Sequence, residues 1–491
     1  MNNGIDENVR TLMAATGLSE GGATEKLSLR IRVSRADSPA CMNLARDVES
    51  LLSRTVSIVD LNMECDVEIA LGTKCVTTPP LQIWTSLDGD TLSLSAENDH
   101  GERGGVVPGR IEDIHGLLRK IAACYLCGFT LSNALGLLAD RNPPSSAPVD
   151  FPTLTVRFSD LGIQPELLNS EVMLRDTVLV GAGGVANGFL WAAEELRIVG
   201  ELTIVDPKKV HRGNLNRCLY FGPSDVGMSK SSLLAQRFRR PGLAVTAYEG
   251  DLTSYLSTRP GKKVTRAITT VDSRRARRSV QNHLPLEIID ASTTDISEII
   301  VHSHRQPTKN ACLACIYPHV VNEQQQDEHT AENLGITVDD VRKPLIDEAL
   351  AMKLCANFPA LDKAALINTA LDTLYKSMCG EGQLRTPAGK QASAPFAFIS
   401  NLAGALLALE LVRFDTKSRL ADDTNYLFLS PWHAPHRHLR AKKPRLADCA
   451  FCSQLGTAKA WQTVWPDVFS QAAEPSRFML VVHSGRPGCY G

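Results

Sequence analysis

The chain has 491 residues, 43% apolar and 22% charged, with a formal net charge of −2. That balance describes a globular chain of two to four domains, and near-neutrality excludes a protein whose binding is dominated by nucleic-acid phosphates. No unbroken apolar stretch reaches the ~18 residues that span a bilayer, so no membrane partner is expected.

The polar opening, MNNGIDENVR, has no feature of a signal peptide, which predicts a cytoplasmic protein. Thirteen cysteines in that setting point to metal or chemistry instead of disulfides. Residues 1–25, rich in Gly, Asn and Ala, read as a disordered lead-in. Residues 26–140 read as a small α/β domain: strands at 27–33, 56–59 and 67–71, helical spacing at 40–52 and a long helical pattern at 111–137. It contains no glycine-rich phosphate loop. Cys124 and Cys127 have ligand-like spacing but stand in an apolar run with no second pair nearby, and read as core. The prolines of 141–150 cannot continue a helix and mark a linker.

The most informative stretch follows. A β-branched run at 177–180 ends in Gly181-Ala182-Gly183-Gly184, helical spacing covers 189–198, and a second strand at 201–205 closes on Asp206. Glycines at such a turn let a backbone approach phosphates at a helix start, and an acidic residue after the next strand can hold a ribose. Then come Asn214, Arg217 and Lys230, and a third apolar run at 266–271 before Asp272. A dinucleotide oxidoreductase has no use for that order. A site that adenylates a substrate does: Asn214 can bond a ribose or phosphate oxygen, Arg217 and Lys230 can neutralise a triphosphate, and Asp272 can hold Mg²⁺. The arginines at 274, 275, 277 and 278 read as the polar face of a helix or as phosphate- or partner-facing groups.

Cys312-x-x-Cys315 and Cys449-x-x-Cys452 give four thiolates at the spacing of structural Zn²⁺, here a clip across a long insertion. Between them, residues 322–386 are polar and helical in pattern, and 395–411 form a long apolar helix. Residues 426–429 read as a strand. The tail 456–491 reads as an appended element or a docking site.

The order strand, G-x-G-G, Asp206, Asn-Leu-x-Arg ending on Arg217, Lys230 and Asp272 resembles the adenylation domain of ubiquitin-activating enzymes and of their sulfur-carrier relatives in thiamine and molybdopterin synthesis, over about residues 150–455. The resemblance implies that Gly181, Gly183 and Gly184 line the phosphates of ATP, Asp206 binds ribose, Asn214, Arg217 and Lys230 meet phosphates, and Asp272 carries Mg²⁺. It departs from the family at Ala186, usually glycine, and at Cys218, usually glutamine. Arg157 stands near where the family places an arginine that reaches into a partner's ATP site. Many members also carry two C-x-x-C pairs after the adenylation strands. In the family the cysteine that receives the activated carboxyl group lies in a loop ahead of the apolar helix; here Cys379, beside a Gly-rich loop with Lys376 and Arg385 nearby, competes with Cys355.

The expected fold is α/β: a Rossmann-like adenylation domain (151–320 and 395–455) with a helical cysteine-bearing insertion (321–394) and a structural zinc clip, preceded by a smaller α/β domain that resembles the family's inactive half. The expected function is ATP-dependent activation of a ubiquitin-like protein, with a thioester passed to a conjugating enzyme, by a homodimer or an intramolecular pseudo-dimer. A sulfur-carrier adenylyltransferase without transthiolation and a nucleotide-dependent oxidoreductase are the alternatives.

Overall fold

A computed structural model describes residues 6–98, 109–137, 153–162, 164–294, 296–306, 308–318, 323–343, 345–380, 395–416 and 424–468. The linker at 141–150, the loop at 381–394 and the tail from 469 lie outside the described residues. The first sheet holds β1 (Arg30–Arg35), β2 (Ser57–Ile58), β3 (Val67–Leu71), β4 (Leu81–Asp88), β5 (Thr91–Asn98) and β6 (Thr153–Arg157), in the order β2-β1-β3-β4-β5-β6. The first four run parallel, and β5 and β6 join antiparallel. The β4–β5 hairpin turns on Gly89-Asp90, with Gly89 at φ 53°; this Gly-Asp turn between alternating strands is a hairpin signal that sequence reading passed over. Because β6 pairs with β5, the sheet extends to Arg157, and that arginine ends an exposed edge strand.

Residues expected to form a disordered lead-in instead make helices α1 (Glu7–Thr16) and α2 (Glu20–Leu27). The side chains of Asp6 and Ser19 accept from the N–H groups of Asn8 and Gly22, and Gly17 at φ 73° closes α1. Val9 and Leu12 are buried, so caps and a narrow apolar stripe outweigh a small-residue composition. Helices α3 (Pro39–Leu52) and α4 (Gly116–Leu135) pack together, and α4 is buried along nearly its whole length. From α4, the Lys120 ammonium donates to Trp191 O at 2.5 Å and pairs with Glu195 at 3.0 Å, while Arg119 bridges Asp47 and Glu195. A buried cation thus sits at the carboxyl end of the next helix, α5 (Gly184–Ala193), where unpaired carbonyls concentrate negative charge.

The second sheet is built from β7 (Glu171–Val180), β8 (Arg197–Val205), β9 (Leu243–Tyr248), β10 (Arg266–Thr269), β11 (Glu287–Thr294), β12 (Glu298–Arg305), β13 (Tyr426–Leu429) and β14 (Arg440–Ala441), ordered β14-β13-β12-β11-β10-β7-β8-β9. Strands β9-β8-β7-β10-β11 are parallel; β12, β13 and β14 extend the sheet antiparallel. Order reverses between β7 and β10, the place where an open α/β sheet leaves a crevice at its strands' carboxyl ends. Helices α6 (Lys230–Arg237), α7 (Leu252–Ser257) and α8 (Arg274–Asn282) connect these strands. The helix expected at 189–198 starts earlier, at Gly184, and stops at Ala193, because Ile198 belongs to β8. Gly200, at φ 104°, leaves no room for a side chain: a Cβ would lie 2.2 Å from Leu174 O on β7.

After α9 (Leu313–Ile316), the insertion contributes α10 (Glu323–Leu334), α11 (Val338–Arg342), α12 (Glu348–Asn357), α13 (Lys363–Leu366) and α14 (Leu371–Gly380), which share an apolar cluster of their own around Leu334, Leu350, Leu354 and Met378. Helix α15 (Ala397–Asp415) returns through the main core. It is long and apolar enough to cross a membrane by length and composition, and is entirely buried within the fold. Helix α16 (Leu455–Val464) folds back: the Trp461 and Trp465 indoles donate to Pro285 O and Leu284 O.

Helices α5 and α15 cross at glycines. A Cβ on Gly404 would lie 2.2 Å from Phe189 N, and one on Gly188 would lie 2.5 Å from Asn401 Cα. Both obstacles are backbone, which cannot rotate away. Gly404→Ala is therefore expected to destabilise the chain by about 1–3 kcal/mol, read as a lowered midpoint in thermal denaturation.

Candidate functional site

The turn after β7 opens a cavity of about 720 Å³ lined by Gly181, Gly183, Gly184, Asp206, Asn214, Arg217, Lys230 and Asp272, so the structure brings together all eight residues marked by the sequence. Each glycine has its own reason. Gly181 sits at φ 99°, with Thr270 Oγ1 at 3.0 Å from a would-be Cβ; a Cβ on Gly184 would meet Ser400 Oγ at 3.0 Å and Arg217 Cδ at 3.1 Å. Nothing lies within 4 Å of a Cβ built on Gly183. The room beside it opens at the amino end of α5, where backbone N–H groups lack helical partners.

Asp206 is buried and fixes this turn. Its Oδ2 accepts from Ala182 N and its Oδ1 from Lys208 N, both at 2.7 Å. Each carboxylate oxygen can take a further donor, so the side chain can serve turn and ribose together. Arg217 Nη1 donates at 2.8 Å to Gly213 O and to Asn216 Oδ1, and Asn214 Oδ1 accepts from His211 N at 3.0 Å. Lys230 opens α6 and is 5% exposed. Burial pulls its ammonium below the ordinary lysine range; nearby Asp206 acts the other way and Lys208 adds to the fall.

Lys208 and His211, not singled out from sequence, also line the cavity, as do Arg274 and Arg277 of the arginine run for which a phosphate-facing role was one of the readings. Lys208 pairs with Asp272 at 3.6 Å. Burial opposes its charge, but the carboxylates of Asp272 and Asp206 more than offset this and raise its pKa. The Lys208-Lys209 pair that follows Asp206-Pro207 was the legible signal. Of the arginines on α8, Arg274 faces the cavity, Arg275 donates to Val341 O and Asp327 of the insertion, and Arg278 donates to Tyr317 O. Arg277 is buried, ion-paired with Asp290, and donates to the carbonyls of Val271 and Ala291. It thereby braces the residue before Asp272. Tyr317 donates to Asp290 Oδ2 at 2.7 Å, linking this brace to the segment just after Cys315.

Cys312, Cys315, Cys449 and Cys452 are all buried, with their sulfurs within 4.8 Å of one another and three contacts of 3.5–3.7 Å. A tetrahedron of Zn–S bonds of about 2.3 Å requires sulfur separations near 3.8 Å, and the three closest contacts match that spacing, so the donor set could hold such an ion. Four thiolates would fill every position of a tetrahedral ion and leave none for chemistry.

Cys379 lies in the last turn of α14. Thr369 and Ala370, just before that helix, line the cavity. At ~1.5 Å per residue, Cys379 is therefore roughly 12 Å along the axis from the helix start. Arg385 lies outside the described residues. Cys355 is half-buried at the end of α12, its thiol donating to Leu361 O at 3.5 Å. Neither Cys355 nor Arg157 lines the cavity. Cys218, in place of the family's glutamine, is fully buried beside Arg217, and burial pushes its thiol up.

The uncharacterized protein y4jF of Sinorhizobium fredii (strain NBRC 101917 / NGR234) is 30% identical over 258 residues, 49% of this chain and 49% of that protein. Ubiquitin-like modifier-activating enzyme 5 of Drosophila willistoni is 29% identical over 180 residues, 33% of this chain and 43% of that one. The alignments thus span about half or less of these relatives. The crystal structure of E. coli MccB superposes with a TM-score of 0.35 at 14% identity, covering 76% of this chain and 95% of MccB. The family model described as the ThiF family matches residues 158–451, beginning directly after β6, and the chain belongs to this family of E1-like adenylation domains.

Proposed function

We propose that the chain uses ATP to activate the C-terminal carboxylate of a ubiquitin-like protein, takes it as a thioester on Cys379, and passes it to a conjugating enzyme. The observation that carries the first step is the convergence of the glycine turn, Asp206, Asn214, Arg217, Lys230 and Asp272 on one cavity. A carboxylate oxygen attacks the α-phosphorus, the bond to the bridging oxygen breaks, and pyrophosphate leaves. In the second step a thiolate attacks the acyl carbon, a C–S bond forms, and AMP departs with the electron pair of the broken C–O bond.

The chain's part in adenylation is alignment and charge stabilisation. N–H groups around Gly183 and Gly184 receive phosphate oxygens, Asp206 orients the ribose, Asn214 bonds a ribose or phosphate oxygen, and Arg217 and Lys230 oppose the charge that builds on the α-phosphorus. Asp272 is the residue that would hold Mg²⁺, in exchange for its pairing with Lys208; the ion supplies further charge neutralisation on the leaving pyrophosphate. The four cysteines are read as a Zn²⁺ clip, the 321–394 insertion as the cysteine-bearing domain, and the first α/β domain as an inactive adenylation half in an intramolecular pseudo-dimer. A cytoplasmic setting, where thiols stay reduced, suits both the clip and the thioester.

One observation favours a second reading, in which the adenylate is the end product for a sulfur-carrier substrate: Thr369 and Ala370, ahead of α14, line the cavity, and Cys379 belongs to the last turn of that helix, about 12 Å along its axis.

Asp272→Ala and Arg217→Ala are each expected to lower carrier-dependent ATP–pyrophosphate exchange by about 10²–10³-fold while the chain stays folded; wild-type exchange in both would place the chemistry elsewhere. Cys379→Ala should keep exchange and lose the thiol-reducible carrier adduct on a non-reducing gel, whereas retention of that adduct together with its loss in Cys355→Ala would move the thioester to Cys355. Purified protein should contain one zinc per chain by metal analysis, and Cys312→Ser should release it and lower the thermal midpoint, since a closed site contributes folding energy. Metal-free protein of unchanged stability would remove the clip.

A further inference from the structure

The first α/β domain has no phosphate loop, yet it reaches the nucleotide site through two residues. Arg54, just past the end of α3, directs its guanidinium at a single turn of the second domain. Its Nη1 donates to Leu215 O at 3.0 Å and Phe221 O at 2.9 Å, and its Nη2 to Leu219 O at 2.9 Å. The three acceptors bracket Arg217, so one planar fork fixes the loop on both sides of that arginine.

A second line of bonds reaches the Arg217 side chain itself. Asn8 on α1 donates from Nδ2 to Arg54 O at 2.7 Å, and its Oδ1 accepts from Asn216 Nδ2 at 3.3 Å. Asn216 Oδ1 then accepts from Arg217 Nη1 at 2.8 Å. Asn8 and Asn216 are 4% and 6% exposed, so their amides have little water to turn to. Behind the loop, Asn401 of α15 donates to Arg217 O at 3.2 Å. Two halves of the chain, 161 residues apart at Arg54 and Leu215, therefore close around one cation.

We propose that Arg54 and Asn8 are positioning residues for Arg217: they hold the 213–221 loop in the shape that binds phosphate, and the first domain is thereby a working part of the nucleotide site. The inference rests on the adenylation reading, since it gives Arg217 a phosphate to meet. Arg54 touches backbone carbonyls and reacts with nothing. Its effect passes through the guanidinium it positions, and a small displacement of an aligned charge costs far more than the lost bonds alone.

The test is direct binding of ATP with Mg²⁺ to the full chain by calorimetry, which needs no carrier protein. Arg54→Ala is expected to weaken binding about 10-fold, and Asn8→Ala by a smaller factor, in protein whose circular dichroism matches wild type. Arg54→Lys, which keeps the charge and loses the fork, should not restore affinity. The deciding measurement is the double variant: Arg54→Ala/Arg217→Ala should bind no more weakly than Arg217→Ala alone, because a positioning residue has nothing to act through once Arg217 is gone. Multiplying losses, or full rescue by Arg54→Lys, would overturn the proposal in favour of a separate charge effect. Wild-type affinity in Arg54→Ala would also overturn it while leaving adenylation intact. If Arg54→Ala fails to fold, Asn8→Ala with and without Arg217→Ala answers the same question. A wild-type chain that binds no ATP overturns the adenylation reading and the clamp with it.

Discussion

The contact on which the rest of this structure depends is the crossing of α5 and α15, where two backbones meet with only glycine between them. Close approach maximises dispersion contacts along the crossing and fixes the axial position of α5. Because α5 begins at Gly184, that position also sets where its unpaired N–H groups open onto the cavity. The same helix carries the Lys120 contact at its other end, so the first domain, the phosphate turn and the core helix are parts of one packed unit. Their apolar side chains form a single continuous cluster.

The site itself opposes stability. Lys208, Arg217, Lys230 and Arg274 face one space together with the carboxylates of Asp206, Asp251 and Asp272. Burial depresses Lys230, and neighbouring Lys208 adds to this. Such crowding of cations is tolerated where a polyanion is to be received, and neighbouring groups hold it in place: Arg277, itself in the cavity wall, braces the segment before Asp272, and Asn401 and Asn216 bond the Arg217 loop.

The convergence of the glycine turn, Asp206, Asn214, Arg217, Lys230 and Asp272 on one cavity was legible in the sequence because these residues follow strand ends in a fixed order, each answering a local demand. Local demand also explains the readings that failed. Helices α1 and α2 were hidden by small residues, although Asp6 and Ser19 are ordinary caps. The end of α5 was misjudged since Ile198 suits a helix stripe as well as a strand, and only pairing with β7 decides. The Arg54 clamp was not legible at all. An arginine that bonds three carbonyls of a distant loop leaves no periodicity, spacing or partner residue type in the sequence.

The cysteine cluster joins positions 137 residues apart, Cys312 and Cys449, and every residue of the insertion lies between them. A bridge of this kind makes the domain indifferent to the continuity of the chain it encloses. A peptide bond broken within the insertion would leave an amino-terminal piece ending after β12 and α9, and a carboxyl-terminal piece beginning before α15, with the four sulfurs still clustered and the pieces joined by the β12–β13 pairing and the buried α15. Insertions of different length and composition could occupy the same interval for the same reason, since the closing entropy grows only slowly with loop length. The adenylation fold is thus a frame into which a second function can be threaded without disturbing the first.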